Sequence, residues 1–548
     1  MLSLRCIHMK RRKKAAFEKR PAALFLLLCA LFAAVLTRLA YLQTGLRAAV
    51  AADTGEKTVA VAQSRGYIYD RNLVPLVNTE TRSVAAVLLG DATRDLVPGG
   101  AELLYGSADA QNVLVTFISE TLVKETPCST NIRTVVRNGS RQLCTHLIGY
   151  TDVSGAGVCG IEKSFDKILN DAAGNIGVSY TANGLGEAIA GMGISIKDEN
   201  YDSPAGVVLT IDARAQRIAE DALDASEIKK GAAVVLAADT GEILALASVP
   251  AYDVKNLAAS LHDPDLPFLN RALAAYPVGS VFKPFVAAAA MEHGVICPED
   301  YECTGQIAVE ELTFRCFSGV SHGEIGLSGA IERSCNCYFI SLGQTLGAEA
   351  LTETAALFGF GTQIRLTGDI LSAAGNLPDA ARLSSPGALA NLSFGQGELL
   401  ASPLQLAAAF AAIANGGVFR APYLTKALVD GTKTEYAYYK NETENRAASE
   451  ETCRILGACL RQNMLEGTGK TGASDLFAAA GKTATAQTGD IKADGTERLC
   501  TWFCGYFPYE APQFVVVVFN EDGAFASEDC APVFRAISEE IWRAGLQP

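Results

Sequence analysis

A serine becomes a nucleophile when a base within hydrogen-bond reach takes its proton, and lysine serves as that base where burial or a neighbouring cation lowers its pKa. Ser-x-x-Lys on a helix sets both side chains on one face. The chain carries three copies: Ser164 with Lys167, Ser226 with Lys229, and Ser280 with Lys283. Ser164 lies in a charged helical segment and Ser226 in the polar run SEIKKG, so both read as solvated. Ser280 instead follows the turn YPVG and precedes PFVAAAAMEHG, apolar enough for a buried helix. A serine at such a helix start has the amide-rich positive end beside its oxyanion. Pro284 is tolerated there because first-turn amides have no intrahelical partner.

Two further patterns follow in order. Ser334-Cys335-Asn336 offers a hydroxyl that relays a proton and an amide that holds a peptide carbonyl. Lys482-Thr483-Ala484-Thr485, on an expected strand, offers a cation and two hydroxyls for a carboxylate, with a strand edge for an extended peptide. Together these approximate the S-x-x-K, S-x-N and K-T-G set of penicillin-recognising serine enzymes. The third pattern ends here in Ala484 rather than glycine. Glycine suits a strand that a ligand approaches closely. The added methyl is expected to be absorbed by a small strand shift; the alternative is weakened recognition of substrate and β-lactams. His322 is not expected to act as the base, since the lysine arrangement of Ser280 and Lys283 is better supported.

The elements that must position these residues begin at Gly206. VVLTIDARAQRIAEDALDA reads as a strand passing into an amphipathic helix, with Leu209, Ile211, Ile218 and Leu223 on its apolar side. GAAVVLAADTGEILALASVP is a strand pair folded about Asp239, Thr240 and Gly241. A mostly helical middle runs to about Gly417, and the polar segment from Thr425 to Glu450 reads as a surface excursion. The tail gives a helix (TCRILGACLRQNML), three strands (LFAAAGKTATAQ, TWFCGYF, QFVVVVFN) and a closing helix (VFRAISEEIWRAG). Two early strands, three late ones and helices between them predict an α+β fold around one five-stranded antiparallel sheet. Residues 45–200 mix short strands and turns with one helix pattern, IEKSFDKILNDAAG, from Ile161.

At 548 residues the chain is too long for one core, and about three or four units are expected. The net charge is -14, a balance that repels phosphate backbones and argues against a nucleic-acid partner. The first twenty residues run the other way: Arg5, Lys10, Arg11, Arg12, Lys13, Lys14, Lys19 and Arg20 face only Glu18, leaving the remainder at -21. PAALFLLLCALFAAVLT then starts an apolar run from Pro21 to Leu42, long enough for the roughly 30 Å hydrocarbon core of a bilayer. The positive-inside rule keeps the N-terminus cytoplasmic and sends the rest outside. A cleaved signal peptide, with Ala49 to Ala52 as its small-residue site, is the alternative. The expected division is a tail at 1–20, a membrane helix at 21–42, a mixed pedestal at 43–205 and a catalytic domain at 206–548. The chain ends soon after its last expected helix, so no appended repeats are expected.

Of fifteen cysteines, Cys6 and Cys29 fall in the tail and the membrane helix, and thirteen would lie outside, too scattered for a small disulfide framework. Cys303, Cys316, His322, Cys335 and Cys337 hold enough sulfur and nitrogen for zinc but lack a CxxC knuckle, so a Cys303–Cys316 disulfide is the preferred reading. Cys335 and Cys337 are read as packing residues.

Beyond the three motifs, the chain resembles a class B penicillin-binding protein, a membrane-anchored peptidoglycan D,D-transpeptidase. The resemblance runs through SRGYIYDRNLVPL from Ser64, HLIGYTD from His146, GIEKSFDKIL from Gly160, LTIDARAQ from Leu209 and NRALAAYPVGSVFKPF from Asn270. It continues through SHGEIGLSGAIERSCNCYF from Ser321, SFGQGELLASPLQLAAAFAAIANGG from Ser393 and AGKTATAQTG from Ala480. It implies a penicillin-binding, β-lactamase-like catalytic domain in which Ser280 forms an acyl-enzyme, Lys283 is the base and Ser334 relays a proton. Asn336, Lys482, Thr483 and Thr485 would bind the donor peptide, and the amides of Ser280 and Thr485 would form the oxyanion hole. Arg65, Gly66, Asp70 and Arg71 are expected to fix the fold rather than touch substrate, and SFGQG to wall the cleft. No cofactor or metal is implied. The implied partners are stem peptides, β-lactams, the membrane, a separate glycan polymerase and proteins of division, elongation or sporulation. A carboxypeptidase or β-lactamase-like hydrolase on the same fold remains the enzymatic alternative, and a non-catalytic β-lactam-binding scaffold the other.

Overall fold

The computed structural model describes residues 21–41, 55–107, 113–184, 186, 188–189, 191–440, 443–492 and 494–548. The basic tail at 1–20 with Cys6, the end of the apolar run at Leu42, and Ala49 to Ala52 lie outside the described residues. Pro21–Tyr41 is a helix of 21 residues, apolar but for Thr37 and Arg38 near its end and long enough to cross a membrane. At 1.5 Å per residue it spans about 32 Å.

The chain divides into two compact units. The first takes residues 1–64, 81–134 and 174–201. Its two sheets are built from Gly55–Gln63, Asn175–Ala182 and Ile194–Glu199, and from Leu103–Tyr105, Leu114–Ile118, Glu80–Leu88 and Ser129–Val136. The second takes residues 65–80, 135–173 and 202–548, so two short segments from before Gly206 fold with the later chain.

Those segments are tied in by charge. Arg65 donates to Glu162 at 2.7 Å, Asp166 at 2.7 Å and Asn170 at 2.6 Å, while Arg137 donates to the other oxygen of Glu162 at 2.7 Å. Glu162 is 1% exposed, a depth that a carboxylate tolerates only when paired. Tyr67–Tyr69 pairs in parallel with Gly206–Leu209, and Asp70 accepts from the amides of Asn72, Val74 and Ala213. Arg71 pairs with Glu242 at 2.9 Å. A Cβ on Gly66 would fall 2.9 Å from that of Ala172, which accounts for the missing side chain. All four residues expected to fix the fold make such contacts in this second unit.

The second unit is built on a five-stranded antiparallel sheet in the order Ile243–Val249, Gly231–Ala237, Phe514–Gly523, Glu497–Phe507, Ala480–Ile491. Its strands alternate between two cores, as a period of two demands when both faces are covered. Val234, Leu236, Trp502, Cys504, Val515 and Val517 face one core, which includes the buried helix Lys283–Glu292. Val235, Phe503, Val516 and Val518 face the other, closed by the amphipathic helices Ala213–Asp224 and Ala531–Arg543. Helix, sheet and helix make three layers, with the motif-bearing elements on the first side.

Two expectations need correction. The run from Ile161 is two short helices, Gly160–Ser164 and Asp166–Asp171, because Phe165 leaves the helical region at φ -116° while burying its ring. The start of the 425–450 segment is not an excursion: Thr425–Val429 is mostly buried and pairs with Gly206–Leu209, since its aliphatic residues complete a second small sheet.

Candidate active site

Ser280 and Lys283 stand at the junction of a short 3-10 turn, Gly279–Phe282, and the helix Lys283–Glu292. That helix is apolar around its whole circumference, which buries it and draws its first residue, a lysine, down to 0% exposure. Gly279 makes the turn possible: its φ of +66° is left-handed, and its amide donates to Gly395 O at 2.8 Å. A Cβ on Gly395 would fall 1.9 Å from Gly279 O, so the SFGQG segment lies directly against the Ser280 turn. Trp502 donates to Pro277 O at 2.9 Å and pins the same turn to the sheet.

Lys283 Nζ donates to Ser334 O at 2.6 Å, Ser334 Oγ at 3.1 Å and Asn336 Oδ1 at 2.8 Å. Burial pulls its pKa down to about 7, against the opposing influence of the Cys335, Cys316 and Cys337 sulfurs. Ser334 itself is held left-handed at φ +54°, a conformation that non-glycine residues adopt at a cost of about 1–3 kcal/mol. Asn336 opens the helix Asn336–Leu346 and donates to Arg315 O at 2.9 Å, so both ends of its amide are fixed. The other two Ser-x-x-Lys pairs differ in burial: Lys167 and Lys229 are exposed.

Lys482 is the second wholly buried cation. It lies on Ala480–Ile491 and donates to Thr483 O at 3.0 Å and, at 3.5 Å, to Thr468 Oγ1. Burial, with Lys283 adding to it, holds its pKa well below the usual lysine value. Among the described residues neither lysine has an ion-pair partner. Thr483 Oγ1 donates to Thr468 at 2.6 Å, and Thr485 is half-buried opposite Thr501. All seven residues singled out in the sequence therefore belong to elements of one unit, and Lys283, Ser334 and Asn336 touch directly.

Ala484 is 3% exposed, and its Cβ faces Gly279: a Cβ built on Gly279 would be 3.4 Å from Ala484 and 3.0 Å from Ala486. The extra methyl is a packing group beneath the Ser280 turn. Thr468 was not foreseen. It accepts from both Lys482 and Thr483 and donates to Asn463, which in turn donates to Gly481 O at 2.8 Å. Its only sequence signal is its position in Gly467-Thr468-Gly469, a turn after a helix.

The preferred disulfide is absent. Cys303 and Cys316 are free thiols with sulfurs 3.8 Å apart, against about 2.05 Å for a bond. Cys335 and Cys337 are buried, as expected.

Residues 231–539, more than half of the chain and including Ser280, Lys283, Ser334, Asn336, Lys482, Thr483 and Thr485, match the penicillin binding protein transpeptidase domain. The chain belongs to the penicillin-binding protein transpeptidase family. Among curated relatives, the stage V sporulation protein D of Bacillus subtilis is 30% identical over 392 residues, covering 68% of this chain and 58% of that protein. The peptidoglycan D,D-transpeptidase MrdA of Haemophilus influenzae is 29% identical over 426 residues, covering 71% and 63%. The chain thus spans about three fifths of the length of these relatives. A solved peptidoglycan synthase complex, described as coordinating polymerization and crosslinking, superposes with TM-score 0.68 at 25% identity over 96% of this chain and 99% of that one. Within the penicillin-binding protein family the chain is of class B, and its Pro21–Tyr41 helix makes it membrane-anchored.

Proposed function

We propose that this penicillin-binding protein is a peptidoglycan D,D-transpeptidase that cross-links stem peptides through a Ser280 acyl-enzyme and is inhibited by β-lactams. Lys283, near neutrality by burial, takes the Ser280 proton as Oγ attacks the carbonyl of the penultimate D-alanine. The amides of Ser280 and Thr485 receive the oxyanion, whose stabilisation is the largest electrostatic contribution. The tetrahedral adduct collapses, the C–N bond breaks, and the departing D-alanine amine takes its proton from Lys283 through Ser334. An acceptor amine then attacks the ester and gives its proton through Ser334 to Lys283, the acyl C–Oγ bond breaks, and Lys283 returns the proton to Ser280 Oγ, leaving a new amide and free Ser280. Asn336 orients the donor peptide, and Lys482 with Thr483 and Thr485 holds its carboxylate. Two buried lysines, of which Lys283 further lowers the pKa of Lys482, favour an anion beside them, and the substrate carboxylate supplies it.

The observation that carries this reading is the grip of Ser334 and Asn336 on a fully buried Lys283, with unpaired Lys482 in the same site. The test is intact mass after penicillin treatment, followed by turnover of a D-alanyl-D-alanine stem peptide with and without an amine acceptor. A stable adduct lost in Ser280→Ala, with cross-linked product, supports the transpeptidase. D-alanine release to water alone makes the chain a carboxypeptidase, and no adduct makes it a scaffold.

The wider arrangement belongs to the same reading. The tail at 1–20 is cytoplasmic, 21–42 crosses the membrane, and the pedestal at 43–205 and transpeptidase domain at 206–548 lie outside, as +7 before an apolar run and -21 after the tail favour. The glycan polymerase is a separate membrane protein, a reading supported by the likeness to a peptidoglycan synthase complex. The process served is elongation, division or sporulation.

A further inference from the structure

Four potential ligand atoms converge beside the second motif. The Sγ atoms of Cys303, Cys316 and Cys335 and a ring nitrogen of His322 all lie within 4.8 Å of one another, with the three cysteines buried and the histidine half-buried. Cys303 Sγ stands 3.8 Å from Cys316 Sγ, 3.4 Å from Cys335 Sγ and 3.4 Å from His322 Nδ1, and Cys316 Sγ stands 3.7 Å from Cys335 Sγ. A tetrahedral ion with sulfur at about 2.3 Å and nitrogen at about 2.0 Å requires edges of about 3.7 Å and about 3.5 Å. These four edges lie within about 0.3 Å of those values and the other two are within 4.8 Å, whereas a disulfide would use two of the sulfurs and leave the others unaccounted for.

The backbone holds the ligands in place without an ion. Tyr301–Cys303 pairs with Gly323–Ile325, and His322 N donates to Cys303 O at 3.2 Å. Cys316 N donates to Gly305 O at 3.0 Å, and Cys335 N to Ala330 O at 2.9 Å. Cys335 also caps the helix Asn336–Leu346, its sulfur accepting from Tyr338 N at 3.4 Å. A fifth sulfur, Cys337, lies 3.4 Å from Cys316 at the edge of the set.

We infer that Cys303, Cys316, His322 and Cys335 bind a zinc ion that anchors Ser334 and Asn336. Three thiols release their protons as the ion enters, and three sulfurs with one imidazole is a soft donor set that suits zinc. All four positions are filled by the protein, so the ion is structural and carries no substrate. Its place in the site follows from the chain: Cys335 sits between the two residues that grip Lys283, and the other three ligands come from the short strands and loops at 301–325.

The test is metal analysis of the purified full-length chain in detergent. Expected are one zinc per chain, loss of the ion in Cys303→Ser and His322→Ala, retention in Cys128→Ser, and a thiolate-rich tetrahedral spectrum when cobalt(II) replaces zinc. Stripping the unaltered chain with a chelator should slow acylation by a fluorescent penicillin about tenfold or more, and zinc should restore it. A chain that takes up no zinc on reconstitution, zinc retained in both ligand variants, or an intact mass two hydrogens lighter would each overturn the inference. Zinc content does not depend on the transpeptidase reading, whereas the acylation effect rests on it. A zinc-loaded chain that never acylates would sink that reading alone.

Discussion

Lys283 Nζ lies 2.8 Å from Asn336 Oδ1, so the proposed base is held by the neutral amide of the second motif rather than by a carboxylate. That choice keeps the lysine free of an ionic partner, and burial then brings its pKa to about 7. The acylation rate of this chain with a penicillin should rise about tenfold per pH unit below 7 and level above it, because the neutral amine is the reactive form. Stopped-flow rates across the range check this, and a flat profile contradicts it.

Asn336→Asp would place a carboxylate at the same distance from Nζ. The ion pair raises the lysine pKa, so at neutral pH the amine is protonated and cannot act as a base. Acylation should fall about 100-fold at pH 7, with the midpoint of the profile moved upward. An unchanged midpoint would separate Asn336 from control of the lysine.

Ala484→Gly removes a methyl that is buried against Gly279 rather than aimed at substrate. Stability should drop by about 1 kcal/mol from lost burial and added chain entropy, while penicillin acylation stays within about twofold. Thermal unfolding and labelling rates measured on one preparation give both numbers.

Gly279→Ala is the converse. It forces a Cβ to 3.0 Å from Ala486 at φ +66°, and the turn must shift. A loss of about 1–3 kcal/mol and a marked fall in acylation are expected, since Ser280 is the next residue. Full activity in this variant would mean that the turn is not tightly set.

Glu162→Ala leaves two guanidinium groups, Arg65 and Arg137, without their shared carboxylate in a buried setting. About 3–5 kcal/mol of stability should go with it. Asp166→Ala, which removes a 36% exposed partner of Arg65, should cost less than about 1 kcal/mol. Chemical denaturation of the pair would show whether burial accounts for the difference.

The sheet and its flanking helices are legible because their residues run apolar without interruption, as in Val515 to Phe519 and Phe285 to Ala290. The motif residues were legible from type and order. Thr468 was not, because a hydroxyl in a glycine turn has no periodicity and gains meaning only when Lys482 is seen beside it. The expected Cys303–Cys316 disulfide fails for a related reason: their spacing in sequence does not show that the two sulfurs stop 3.8 Å apart among other thiols. Thr425–Val429 was lost to its polar neighbours, since five residues offer too short a window for pattern to outweigh composition.

The strand Gly231–Ala237 finds its second partner, the central strand Phe514–Gly523, almost at the other end of the sequence. Most of the unit must therefore exist before its sheet can close, and contacts so distant along the chain make for slow assembly. Until then the early hairpin of Gly231–Ala237 and Ile243–Val249 has an apolar, unpaired edge that invites association between chains. A product cut short before Lys482 would carry Ser280 on a partial scaffold, without a second cation or a finished sheet. Activity therefore depends on the last stretch of the chain as much as on the nucleophile halfway along it.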